Sequence, residues 1–375
     1  VYDVEGDHTL DTPDPASSGA SASPGKPGPL TIGESFGDRY RIDKLLGFGG
    51  MGAVYKAWDT QVDIPVALKV VRTNAANSPE MTRQLDRRFK RELLLARQVT
   101  HKNVVRIHDL GEVDGIKYIT MTYIEGEDLL AVLKREKKVS VPEALRILRP
   151  VVAGLAAAHE AGVVHRDLKP ANIMVEPTTG ESYIMDFGIA STATPTGVEV
   201  VEQLAEAKAR ERAGAVDDTQ AGAVVGTLQY MAPEQFMGKG VDQRADIYSL
   251  GLIFYDMLLS RRRIERAQSA FVEFRSRIEQ SPPSPRSIDG SFPVAVDRII
   301  TRCLEPDAGD RIQTTAELRA ALDRLDDDGN PLPVTRRLTR PLVSSVAALV
   351  VALVAGTWWL ASLGRPTAEP DPMSV

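Results

Sequence analysis

Short apolar runs dominate the early part of the chain, and apolar residues at helical spacing dominate the remainder. Tyr40-Arg41-Ile42-Asp43-Lys44-Leu45-Leu46 and Ala53-Val54-Tyr55-Lys56-Ala57 read as strands. Pro65-Val66-Ala67-Leu68-Lys69-Val70-Val71 is a third, an apolar strand broken by one lysine. An unpaired buried ammonium is costly, so Lys69 needs an anionic partner. Ser78 caps a helix with Pro79 in its first turn, and Leu85, Phe89, Leu93 and Ala96 mark its inward face. Glu92 falls on that face, which makes a Lys69–Glu92 ion pair the simplest expectation. A strand pair then ends in Tyr118-Ile119-Thr120-Met121-Thr122-Tyr123-Ile124-Glu125-Gly126, a strand running into a Gly-containing connector. Ser140 to His159 reads as a long helix, where Pro150 removes a backbone donor and predicts a kink or a local break. Tyr183-Ile184-Met185 is a short strand that delivers Asp186.

One run departs from this soluble pattern. Leu342 to Leu363 holds 22 residues without a charge, which as a helix extend about 33 Å against a hydrocarbon core of roughly 30 Å. The expectation is a transmembrane helix over 342–363. Arg336, Arg337 and Arg340 precede it and Arg365 stands alone after it, so the positive-inside rule puts residues 1–340 in the cytoplasm. Trp358 and Trp359 suit the far interface. Ser344, Ala348, Ala352 and Gly356 form a stripe of small residues on one helix face, a feature through which two such helices associate as a homodimer. Membrane lipid is thus an expected partner, and a membrane with its cytoplasmic face toward residues 1–340 the expected location.

Composition adds limits and no function. The 375 residues are 43% hydrophobic and 26% charged, an ordinary globular balance, and the net charge of −6 argues against nucleic acid as a partner. The single Cys303 cannot form an internal disulfide and reads as a buried thiol. Residues 1–35 are rich in Pro, Ser, Gly and Asp, which predicts a disordered tail; it lacks the apolar run of a signal peptide. The chain begins with Val1, as a fragment or an alternative start codon would. Residues 326–341 read as a polar juxtamembrane linker stiffened by Pro331 and Pro333, and 364–375 as a short extracytoplasmic tail, too short to fold as a sensor.

The chemistry concentrates in His165-Arg166-Asp167-Leu168-Lys169-Pro170-Ala171-Asn172. One short loop there holds a base, a cation suited to phosphate and a metal-binding amide, the outline of a phosphoryl-transfer site. Asp186-Phe187-Gly188 comes after it in the order that such a site needs. Upstream, Gly47, Gly49 and Gly52 give G-x-G-x-x-G between two strands. A dinucleotide site would continue into a helix, so a glycine flap over phosphates is the better reading.

With these motifs in sequence, the chain resembles the bacterial Ser/Thr protein kinases with a eukaryotic-type catalytic domain, over about residues 36–325. Met51 in Gly-Gly-Met-Gly is similar to the bacterial branch. The resemblance implies an α+β bilobal kinase fold, with a small β-rich lobe (about 36–123), a larger helical lobe (about 124–325) and an activation segment at 186–234. It implies that Gly47, Phe48, Gly49, Gly50, Met51, Gly52 and Ala53 cover the ATP phosphates, with Lys69 on the α- and β-phosphates and Glu92 orienting it. Leu46, Val54, Ala67 and Met174 would enclose the adenine, with Met121 as gatekeeper and the backbone near Thr122 and Ile124 as hinge. Asp128 lies where a ribose contact is expected. Asp167 would accept the substrate hydroxyl proton, and Asn172 and Asp186 would bind Mg²⁺, or Mn²⁺ in its place. Lys169 resembles the Ser/Thr class and would neutralise γ-phosphate charge, while Thr227 would help receive a Ser or Thr of a protein substrate. Asp246 would anchor the catalytic loop, and Glu234 and Arg311 resemble the family's buried ion pair.

The chain departs from the family in its activation segment, where 43 residues separate Gly188 from Ala232. Val198 to Arg212 is rich in Glu, Ala, Lys and Arg, either a solvated helix in a loop or an element that packs on the active site and inhibits it. Arg166 is a cation of the kind that awaits a loop phosphate, with Thr219 as the autophosphorylation candidate. A scaffold with a kinase fold and a small-molecule phosphotransferase are the rival readings. The four polar residues Lys69, Asp167, Asn172 and Asp186 weigh against the first, and Ala232-Pro233-Glu234 against the second.

Overall fold

The computed structural model describes residues 28–49, 52–71, 93–94, 96–136, 138–187, 228–259, 270–333 and 340–363. Gly50, Met51, Glu92, Thr219 and Thr227 lie outside these residues, as do the Val198 to Arg212 run and Arg336 and Arg337. The chain divides into two units, Val1–Asn330 and Pro331–Val375.

In the first unit the alternating runs form a six-stranded antiparallel sheet. Its strands are β1 (Ser35–Phe36), β2 (Tyr40–Gly49), β3 (Gly52–Asp59), β4 (Ile64–Val71), β5 (Ile107–Val113) and β6 (Ile116–Thr122), in the order β1-β2-β3-β4-β6-β5. The period of two sorts its side chains cleanly. Ala53, Tyr55, Ala57, Val66, Leu68 and Val70 enter one apolar cluster, capped by Tyr118, whose ring meets Phe36 at 5.3 Å and Tyr40 at 5.4 Å edge-on. Ala67, Ile119 and Met121 point to the opposite face and join the main core.

The helical part is built around α4 (Gln243–Leu259), buried along nearly its whole length, as a helix apolar on every face must be. Around it lie α1 (Leu129–Arg135), α2 (Val141–Glu160), α3 (Pro233–Phe236), α5 (Ala270–Glu279), α6 (Pro285–Ile288), α7 (Val294–Cys303) and α8 (Thr315–Asp323). Their starts obey local chemistry: Ser140 caps α2, Ser284 caps α6 and Thr314 caps α8 through side-chain oxygens. A second sheet, β7 (Glu127–Asp128), β8 (Ile173–Val175) and β9 (Ser182–Ile184), sits beside α2.

Two expectations change. Pro150 does not break α2, which runs unbroken through it; Ile147, Leu148, Val151 and Val152 are buried around it, and their packing outweighs the one lost backbone bond. The folded unit also reaches past residue 325 to Asn330. Arg149 donates to the carbonyls of Leu325 (2.7 Å) and Asp326 (3.1 Å), which fixes the turn 326–330 against α2. Cys303 is buried as expected, and burial pushes its thiol up to about 12, so it stays protonated.

In the second unit, α9 (Arg340–Leu363) covers the apolar run. Its described side chains, 348–361, are all exposed, Leu349, Val351, Val354 and Trp358 among them. The helix expected over 342–363 is present, but among the described residues no helix is long and apolar enough to cross a membrane, so the expected span is not shown.

Candidate active site

The glycine motif forms the hairpin between β2 and β3, where Gly49 pairs with Gly52 and the register shifts between Leu45 and Gly47. Gly52 has φ +132°, a backbone that side chains rarely adopt. A Cβ at Gly47 would meet nothing within 4 Å, so this strand faces open space. Val54 and Lys69 are opposed across β3 and β4, and Ala67 and Met121 across β4 and β6. These four therefore share the face that carries Lys69. Leu46 is 42% exposed at the hairpin, and Met174 and Ile124 are half-buried. Ala53 is different: its side chain is fully buried in the cluster on the other face, so only its backbone is available to the hairpin. Phe48 packs against that same cluster.

The catalytic-loop residues converge. Lys169 Nζ lies 2.8 Å from Asp167 Oδ2, and the Asn172 amide donates to the Asp167 carbonyl at 2.7 Å. A 3₁₀ turn, Pro170–Asn172, brings Asn172 back over Asp167. Across from them Lys69 Nζ lies 2.8 Å from Asp186 Oδ2, with Lys69 only 5% exposed. Glu92, its expected partner, lies outside the described residues. Asp128 accepts the Ala131 N–H at 2.8 Å and caps α1, which occupies one oxygen of the expected ribose contact.

Buried polar groups hold this loop in place. Asp246, 1% exposed on α4, accepts the backbone N–H groups of His165 (2.7 Å) and Arg166 (2.8 Å), the anchoring expected from sequence. His159 Nε2 meets the same carboxylate at 2.8 Å, and its Nδ1 meets the Thr315 hydroxyl. His165 Nδ1 accepts the Asp167 N–H at 3.3 Å while Nε2 faces the Met185 carbonyl at 2.9 Å, a pattern met by the Nε2–H tautomer. Gln235 joins α3 to the loop, accepting the Ala232 N–H at 3.0 Å and donating to the Arg166 carbonyl at 2.7 Å. Arg166 and Asp186 both have left-handed backbones, φ +64° and +62°, conformations that persist only where the surroundings enforce them. Below α3, Arg311 and Glu234 form the expected buried pair, two-pronged at 2.7 and 2.8 Å.

His159 and Gln235 were not legible as site residues, although the Ala232-to-Gln235 spacing is that of half a capping box. Their partners are 87 and 69 residues away.

Electrostatics mark Asp186. Burial pushes its carboxyl up, but Lys69 and, more weakly, Lys169 override this and hold it below the ordinary carboxylate range. Its Oδ1 is buried without a hydrogen-bond partner. An ionised oxygen so placed, with the Asn172 side chain near Asp167, makes a hard-oxygen donor set that fits Mg²⁺ or Mn²⁺. Among the described residues no group of three His, Cys, Asp or Glu side chains could hold a metal alone. A cation held by Asn172 and Asp186 would complete its shell with water and phosphate oxygens.

Comparison with known proteins agrees with this geometry. Residues 40–321 match the protein kinase domain. The chain is 38% identical over 289 residues to the serine/threonine-protein kinase PknE of Mycobacterium bovis, covering 77% of this chain and 46% of the relative. It is 34% identical over 296 residues to the probable serine/threonine-protein kinase PknB of Corynebacterium glutamicum (77% and 42%), and 35% over 306 residues to the serine/threonine-protein kinase pkn3 of Myxococcus xanthus (79% and 52%). The chain spans about half the length of the curated relatives it matches. With the hairpin, the paired Lys69 and Asp186 and the anchored Asp167 loop all within the matched residues, the chain belongs to the protein kinase family.

Proposed function

We propose that this chain is a Ser/Thr protein kinase that transfers the γ-phosphate of ATP to Ser or Thr hydroxyls of protein substrates, using Mg²⁺ or Mn²⁺. The observation that carries this reading is the convergence of Asp167, Lys169 and Asn172 within hydrogen-bond reach, facing an Asp186 held ionised by Lys69. Bound metal supplies charge neutralisation on the phosphates. Asp167 accepts the hydroxyl proton, and Lys169 offsets charge on the transferred group. Asn172 and Asp186 present oxygens to the cation. Lys69 grips the α- and β-phosphates, and Gly47, Gly49 and Gly52 let backbone approach them. Leu46, Val54, Ala67, Met121, Ile124 and Met174 enclose the adenine. Thr227 helps receive the acceptor, and Thr219 is the autophosphorylation site that Arg166 awaits.

The reading includes a membrane anchor at 342–363. The helical backbone of α9 and its exposed apolar side chains support it, as does Thr357, whose hydroxyl donates back to the Leu353 and Val354 carbonyls at 3.0 and 2.9 Å. Homodimerisation through the small-residue stripe and a cytoplasmic kinase domain belong to the same proposal. Incubation of the purified chain with labelled ATP and Ser/Thr proteins tests the chemistry. The parent should label them and Asp167→Asn should not; retained labelling in the variant sinks the assignment of the base. Recovery of the chain from cells in the soluble fraction sinks the anchor.

A further inference from the structure

The segment after position 227 reaches α3 at Pro233, and it is held by a residue far from the reacting groups. Leu228 and Met231 pack with Phe274 of α5 in a cluster of their own, with Phe236 and Ile278 against it. Within this apolar setting Arg277 is 2% exposed. A buried guanidinium is costly unless its donors are used. Here Nη2 donates to the Leu228 carbonyl at 3.0 Å and Nη1 to the Met231 carbonyl at 3.1 Å, while Nε meets Glu273 one turn earlier at 3.1 Å. The rings of Phe274 and Tyr248 lie 4.9 and 5.9 Å from it. The two carbonyls are three residues apart, so one planar fork fixes both ends of a single backbone turn. Gln235 then ties the next residue, Ala232, to the Arg166 carbonyl.

We propose that Arg277 is a positioning residue for the acceptor peptide: by holding the Leu228 and Met231 carbonyls it sets the backbone that continues from Thr227, and hence the peptide's affinity. This rests on the kinase reading, in which Thr227, the residue before Leu228, helps receive the acceptor. Lysine cannot replace the fork, since an ammonium is a point charge without two parallel donors. None of Arg277's hydrogen bonds reaches Asp167 or Lys69, so its main effect falls on the peptide and not on ATP.

The test uses the full chain and the best acceptor found in a positional Ser/Thr peptide library with the parent. Peptide KM, ATP KM, kcat and thermal midpoint are compared for the parent, Arg277→Lys, and the double variant Glu273→Gln/Arg277→Met, which removes the buried charge from both sides. Both variants should raise peptide KM by about tenfold while ATP KM and kcat stay within about twofold. Peptide KM near the parental value in Arg277→Lys overturns the proposal, whatever the double variant does. So does a shift of ATP KM or kcat in step with peptide KM, or loss of folding in both variants, because the role is then structural. If the parent labels no peptide at all, the kinase reading itself fails.

Discussion

In the six-stranded sheet, Lys69 and the glycine hairpin are positioned by strand register, whereas the Asp167 loop hangs on buried polar side chains from distant parts of the chain. The first arrangement needs only neighbours: β2, β3 and β4 pair in sequence order, and a period of two decides which side chains face Lys69. The second crosses long separations, 81 residues from His165 to Asp246 and 77 from Glu234 to Arg311. The sheet can therefore tolerate apolar exchange at matched volume. The loop depends on one carboxylate, because Asp246 accepts two of its backbone N–H groups.

The largest effect that sharpens this contrast is expected at Asp246. In Asp246→Ala the His165 and Arg166 N–H groups and His159 lose their acceptor, and each buried unsatisfied donor costs about 1–3 kcal/mol. Because Arg166 already carries a left-handed backbone, the loop should relax and displace Asp167. A fall in kcat of about 100-fold or more is expected at saturating ATP. A kcat within threefold of the parent would show that the loop holds itself and would erase the contrast.

Next comes Glu234. Glu234→Ala strands Arg311, 1% exposed, with its charge uncompensated, and should cost about 3–5 kcal/mol in urea unfolding. The double variant Glu234→Ala/Arg311→Met should recover most of that loss, since an apolar pair needs no partner. Equal instability in single and double variants would mean that the carbonyl contacts of Arg311 to Glu305, Pro306 and Arg244 outweigh the ion pair. A smaller loss is expected for Gly126→Ala at the connector. The new Cβ would sit 2.3 Å from the Val175 carbonyl oxygen, a backbone atom that cannot swing aside, so about 1–3 kcal/mol of overpacking is expected. An unchanged melting temperature there would mean that β7 and β8 part easily.

The same contrast governs how much the sequence discloses. Lys69 and the strands were legible because alternation and a short glycine spacing are local signals, while Met121 came only through the family resemblance. Asp167, Lys169 and Asn172 were legible because they lie within six residues. Asp246, Glu234 and Arg311 were reachable only through the family resemblance. Gln235 and Arg277 were not, because each acts on backbone N–H or C=O groups of distant segments, which every residue type offers. Ala53 shows the limit of motif reading: the glycine motif implicates it, yet strand period turns its side chain away. Pro150 shows the reverse limit, a local rule overridden by the buried residues around it.

A polar anchor within the sheet, between Arg39 and Asp59, offers the gentlest test. Asp59, 2% exposed at the end of β3, accepts Arg39 Nε at 3.0 and 2.9 Å and the Gln61 N–H at 3.1 Å. The Arg39 hydrogen bonds, working against burial, hold its carboxyl below the ordinary value of 3.8. A depressed carboxylate binds its proton less readily folded than unfolded, so it adds stability above the unfolded value and loses it as pH falls through the folded one. The urea midpoint should decline as pH drops below about 4, and Asp59→Asn should decline less steeply over that window while starting lower at pH 7. Parallel curves for parent and variant would mean that other carboxylates set the acid limit.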